Sequence, residues 1–196
     1  MSELRRAVKD ILAFDEIRPD EYSEAVDARE LGTILIEQVE QHAHLQAGVV
    51  GYIFRDDELK RHGKVKWAEA ILVERILQSE KRWSRVVKWA ILRILDAEQL
   101  PDFLILIDRN IWQGLDADQK LALVDHELSH MAQATEDDGE TPKFHKDGSP
   151  VWTIRGHDLE EFCGVVERRG LWSEDLREMA RAIIDRLASE RPARVA

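Results

Sequence analysis

The stretch LVDHELSHMA, residues 123–132, sets His126 and His130 four apart with Glu127 beside the first. On a helix, residues i and i+4 stand one above the other on the same face. Two neutral imidazoles at that spacing can share one Zn²⁺ ion at about 2.0–2.1 Å each. Glu127 is offset around the helix, so it need not bind the ion. A metal lowers the pKa of a water in its open position towards about 7, and a neighbouring carboxylate can take that water's proton. This is the mechanical content of H-E-x-x-H. The bland alternative is a solvated polar face. The motif's place in a run of good helix formers, with Leu128 extending the apolar positions Leu121, Val124 and Met131, favours the metal.

A catalytic zinc takes three protein ligands. Position 133 is not glycine and position 136 is not histidine, so the long H-E-x-x-H-x-x-G-x-x-H form is absent. The candidates downstream are His145, His157, Glu160 and Glu161. His145 falls in an expected hairpin turn. Asp158 and Glu161 make a capping-box pattern, which already employs Glu161. Glu160 falls in a first helical turn, where an acid suits the dipole. His157, just ahead of the Asp158 cap, is anchored yet outside the helix. It is the preferred third ligand, with Glu160 and Glu161 as alternatives.

The elements that must position these residues read as a mixture of helix and strand. Residues 29–45 have helical spacing through Leu31, Ile34, Leu35 and Val39. AGVVGYIFRD is β-branched and aromatic and reads as a strand, followed by a polar connector, DDELKRHG. KVKWAEAIL reads as that strand's hairpin partner, or as the start of a helix through AEAILVERIL. Residues 79–100 predict a helix with Trp83, Val86, Val87, Ala90, Ile91 and Ile94 on one side, and FLILID predicts a buried strand. The clearest helix covers residues 113–134, opened by the capping-box pair Asp116 and Gln119. Around the Asp147–Gly148 turn signal, PKFH and VWTIR are expected to pair. Helices over 157–170 and 173–190 complete the reading.

The order FLILIDRNIWQGLDADQKLALVDHELSHM, a polar hairpin, then RGHDLEEFCGVVERRG resembles the putative phage metallopeptidase family and, more distantly, SprT-like zincins. The likeness covers residues 28–170 and is most specific at DHELSH and HDLEEF. It implies an α+β, zincin-like fold, with a small mixed or antiparallel sheet packed on the H-E-x-x-H helix and additional helices around it. Carried over by motif, it makes His126, His130 and His157 ligands of one zinc, and Glu127 the catalytic acid and base. The chain is then expected to divide into a lead-in over 1–27, a metallopeptidase domain over 28–170, and a C-terminal helix and tail over 171–196. By the same resemblance, FLILID could serve as the edge strand that pairs with an extended substrate.

Other residues invite weaker readings. Asp125 could orient a ligand, though a solvated helix acid is the default. Trp112 and Trp152 could line a pocket, though core is the default. Tyr52, His145 and Arg155 are conceivable oxyanion stabilisers. His42 and His44, two apart on a helix, face different ways and are assigned no metal. Cys163 reads as a small buried hydrophobe.

Composition bounds the partners. The net charge of −11 opposes a nucleic-acid partner, because such binders show a basic face. No apolar run reaches the roughly eighteen residues that would span a membrane. A single cysteine excludes an intrachain disulfide and a cysteine-rich zinc ribbon and fits a reducing cytoplasmic setting, which the resemblance to a phage family implies is that of the bacterial cell. The expected partner is a protein or peptide substrate, with the oligomeric state open. Two rival functions stay in view: a non-catalytic zinc-containing regulatory or binding protein, and a DNA-associated SprT-like protease.

Overall fold

The computed structural model describes residues 21–56, 59–61, 64–79, 81–157, 159, 166, 170, 171 and 173–189. The chain forms two compact units, residues 1–155 and residues 156–196.

The first unit is built on two strands whose residues are apolar almost without interruption, β2 (Val50–Arg55) and β6 (Phe103–Asp108). Such runs suit a strand covered on both faces. They pair in parallel, Val50 opposite Phe103 through Arg55 opposite Asp108. β1 (Tyr22–Glu24) adds antiparallel to β2, and β5 (Ala68–Leu72) adds antiparallel to β6. The sheet order is therefore β1-β2-β6-β5. A short separate ribbon, β3 (Leu59–Arg61) with β4 (Lys64–Lys66), leads into β5.

Side chains alternate across the pleat, so each central strand feeds two cores. Tyr52, Phe54, Phe103, Ile105 and Ile107 point to one face. There they meet α1 (Val26–Gln38), which buries Ala28, Gly32 and Leu35 along one stripe, and α5 (Ala117–Ser129), which buries Val124 and Leu128. A 3₁₀ segment, Glu40–Ala47, follows α1 and adds Leu45 to this core. Ile53 and Leu104 point the other way, to Val73 of α2 (Val73–Ser79) and Ile91 of α3 (Ser84–Ile94). A short α4 (Arg109–Gly114), capped by Asp108, buries Trp112 and leads into α5.

Several expectations are corrected. The helix expected over 29–45 ends at Gln38 and continues as the 3₁₀ segment. KVKWAEAIL does not pair with β2. Its second half is β5, which pairs with β6, and its first residues pair with LKR from the stretch expected to be a plain connector. Residues 73–79 then do form a helix, so both readings of that region hold in turn. FLILID is a central strand with neighbours on both sides, so it has no edge to offer a substrate. On α3 the apolar face is narrower than expected: Ile91 is buried, whereas Trp83 and Val86 are more than half exposed.

The helix over 113–134 is shorter as well. α5 ends at Ser129, and Met131–Gln133 form β7, paired with β8 (Trp152–Ile154). Met131 is buried, but as a strand residue, and Leu121 is exposed. Only the tip of the expected PKFH/VWTIR hairpin forms as read, with Phe144 opposite Pro150. The turn there uses Gly148 at φ +85°, a conformation that costs glycine nothing. β8 itself pairs with β7.

The second unit is described chiefly by α6 (Glu174–Ser189). Most of the helix expected over 157–170, with its Asp158–Glu161 cap and Cys163, lies outside the described residues, as do residues 1–20 of the expected lead-in. Among the described residues no helix is long and apolar enough to cross a membrane.

Candidate metal centre

The motif helix starts on a complete capping box. Asp116 accepts from the Gln119 N–H, and the Gln119 side chain accepts from the Asp116 N–H. Val124 and Leu128, both fully buried, fix the rotation of α5 against the sheet. His126 then stands on the exposed side in the last turn, and His130 is the C-cap. The motif therefore closes the helix rather than sitting at its middle.

The two rings meet edge-on with centroids 4.9 Å apart, and their Nε2 atoms are 3.3 Å apart. Two nitrogens bound to one tetrahedral ion at the usual Zn–N distance would stand about 3.3 Å apart. The His130 ring is held by its other nitrogen: Nδ1–H donates to the Arg155 carbonyl at 2.9 Å, leaving Nε2 to present a lone pair. Arg155 returns the bond, its own N–H donating to the His130 carbonyl at 2.9 Å. This exchange extends the β7–β8 ladder, in which Met131 lies opposite Ile154, by one step. His157 follows two residues on. One ligand atom from each of His126, His130 and His157 lies within 4.8 Å of the others, a group that could hold a metal ion.

Glu127 is 4% exposed, unlike its histidine neighbours. Burial pushes its carboxyl above the ordinary value. The nearby His130 ring, the Ala70 backbone N–H of β5 and Lys66 pull it partly back. Lys66 is itself paired with Glu69 at 2.8 Å. The motif's acid thus faces the edge of the sheet while remaining within electrostatic reach of His130.

Other candidates fall elsewhere. Tyr52 is buried in the core, its hydroxyl against Gly32, and burial raises its pKa. His145 is exposed in the hairpin, where its backbone N–H donates to the Ser149 carbonyl. Trp112 packs on Phe54 and donates its indole N–H to Asp27 at 2.7 Å, and Trp152 packs edge-on against Phe103. Trp112 is buried in the core, and the half-buried Trp152 packs against that core. Glu160 and Glu161 lie outside the described residues.

Sequence reasoning missed three partners. Asp125 accepts from His42 Nε2–H at 2.6 Å, and His44 Nε2–H donates to the Met131 carbonyl at 3.0 Å. The third is the Arg155 carbonyl. None has a local signal: His42 and Asp125 are 83 residues apart.

The fold is mixed α+β, and it carries a buried carboxyl, Glu127, next in sequence to one member of a three-histidine group that could hold a metal ion. The chain belongs to the putative phage metallopeptidase family, which matches it over residues 20–187. Neither a search of curated proteins nor one of solved structures finds a match.

Proposed function

We propose that the protein is a zincin-like, zinc-dependent peptidase, with His126, His130 and His157 as ligands of one zinc and Glu127 as the general base. The observation that carries this reading is the 3.3 Å approach of two Nε2 atoms while His130 Nδ1 is engaged by the Arg155 carbonyl. An engaged second nitrogen is how ligating histidines are oriented. Three histidines also leave one corner of a tetrahedral ion open, as catalytic zinc sites do.

When bound, zinc supplies Lewis-acid polarisation of a peptide carbonyl and makes water acidic near neutral pH. The chain's own part is proton transfer and alignment. The Glu127 carboxylate takes a proton from the attacking water and returns it to the amine as the C–N bond breaks. The substrate strand is assigned to β5 in place of β6. Trp67 and Val73 hydrogen-bond inward to Asp108 and Asp102. By alternation, Ala68, Ala70 and Leu72 turn their N–H and C=O groups to the open side. An extended peptide can pair there beside α5. The proposed setting is the reducing bacterial cytoplasm, with a protein or peptide as substrate.

Glu127→Gln tests the assignment: it should keep one zinc per chain and lose about 10²–10⁴-fold in peptide hydrolysis. Wild-type turnover in that variant would remove Glu127 from the chemistry. Zinc stoichiometry of His157→Ala, measured alongside, should fall below one; full retention would pass the third position to Glu160 or Glu161.

A further inference from the structure

We propose that His42 and His44 are positioning residues that clamp the motif from both ends; this rests on the metal reading above. The residues immediately outside HELSH are Asp125 and Met131. Each is held by a histidine of the same 3₁₀ segment. His42 Nε2–H donates to the Asp125 carboxylate at 2.6 Å, and His44 Nε2–H donates to the Met131 carbonyl at 3.0 Å. The segment is itself rooted in the core by Leu45, which is 1% exposed.

The charge-assisted bond from His42 is buried on one side. The His42 side chain is 3% exposed and that of Asp125 is 48% exposed. Asp125 adjoins His126 in the helix, so a fixed Asp125 restrains the rotation of the helix turn from which the His126 ring projects. Met131 adjoins His130, so a fixed Met131 carbonyl fixes where α5 stops and β7 begins. Between them, the Ser129 hydroxyl donates back to the Asp125 carbonyl at 2.8 Å, tightening the last turn. Functional side chains tolerate displacements of only about 0.5 Å and 10–20° before their geometry is lost. The core contacts of Val124 and Leu128 hold the far side of the helix. The histidine pair holds the two residues that flank the motif, Asp125 and Met131.

The test is zinc affinity, measured by competition with a chromogenic chelator, together with the visible absorption of the cobalt-loaded protein. His42→Leu should bind zinc about tenfold or more weakly than wild type, the range for losing an outer partner of a metal site, with an altered cobalt spectrum. His42→Gln keeps an N–H donor and should restore most of the affinity. Should the leucine variant fail to fold, Asp125→Ala, at the half-exposed end of the bond, decides in its place by the same criterion. Wild-type affinity and spectrum in whichever of these variants decides would overturn the clamp while leaving the metal reading intact. If the wild-type chain takes up neither ion, the metal reading fails and the clamp with it.

Discussion

Replacing Tyr52 with phenylalanine should make the protein more stable. The Tyr52 hydroxyl is fully buried and, among the described residues, has no hydrogen-bond partner. Burying a hydroxyl unsatisfied costs about 1–3 kcal/mol. Deleting the oxygen leaves a void of roughly 10 Å³, which at about 24 cal/mol per Å³ returns only a few tenths of that. The net gain is thus about 1 kcal/mol or more, and for a chain of this size each kcal/mol moves Tm by about 2–4 °C. Calorimetry on the metal-free protein reads it directly.

A second arm uses Gly32, where an added Cβ would lie 2.0 Å from the Tyr52 hydroxyl and 2.6 Å from the ring carbon bearing it. Gly32→Ala should therefore destabilise both backgrounds, and less so with phenylalanine at 52. A pH arm follows from the raised Tyr52 pKa. A phenol harder to ionise when folded gives stability that is full below the unfolded value of about 10 and is lost as pH rises beyond it. The wild type should lose stability above that pH more steeply than Tyr52→Phe. A lower Tm for Tyr52→Phe would refute the reasoning, since it would mean that the hydroxyl makes a bond worth keeping.

Two further outcomes are expected. In the metal-free protein, Glu127→Gln should raise Tm at neutral pH, because a buried carboxyl with a raised pKa favours the fold only while protonated. That advantage should vanish on acidification below about 4.3, the unfolded carboxylate value, and a variant no more stable than wild type at pH 7 would show that Glu127 is not strained by burial. Asp116→Ala removes the acceptor of the capping box and should cost about 1 kcal/mol in urea unfolding; no change would mean that the α5 N-terminus is held by other means.

The motif was legible because its chemistry is local. His126, Glu127 and His130 are adjacent in sequence, and a helix converts that adjacency into a shared face. The Asp116–Gln119 cap was legible for the same reason. Strands β2 and β6 announced themselves by uninterrupted apolar residues, but their partners did not. Whether β5 pairs with β2 or β6 depends on the path of the intervening chain, which periodicity does not encode. Met131–Gln133 follow a helix and are good helix formers, yet they are drawn into a strand by pairing with residues 152–154, tertiary context overriding local preference. The roles of His42, His44 and the Arg155 carbonyl arise only when segments distant in sequence are packed together.

In the proposed peptidase, the outward N–H of Ala70 has a consequence for the order in which a substrate and the Glu127 carboxylate are served. It is a single donor, and in the resting protein it is spent on the Glu127 carboxylate. A peptide that docks along β5 requires that same donor for its own carbonyl, and the N–H has one strong bond to give. On the proposed function, docking takes from Glu127 a contact that weakens it as a proton acceptor, so the proposed base gains strength only when a peptide arrives along β5.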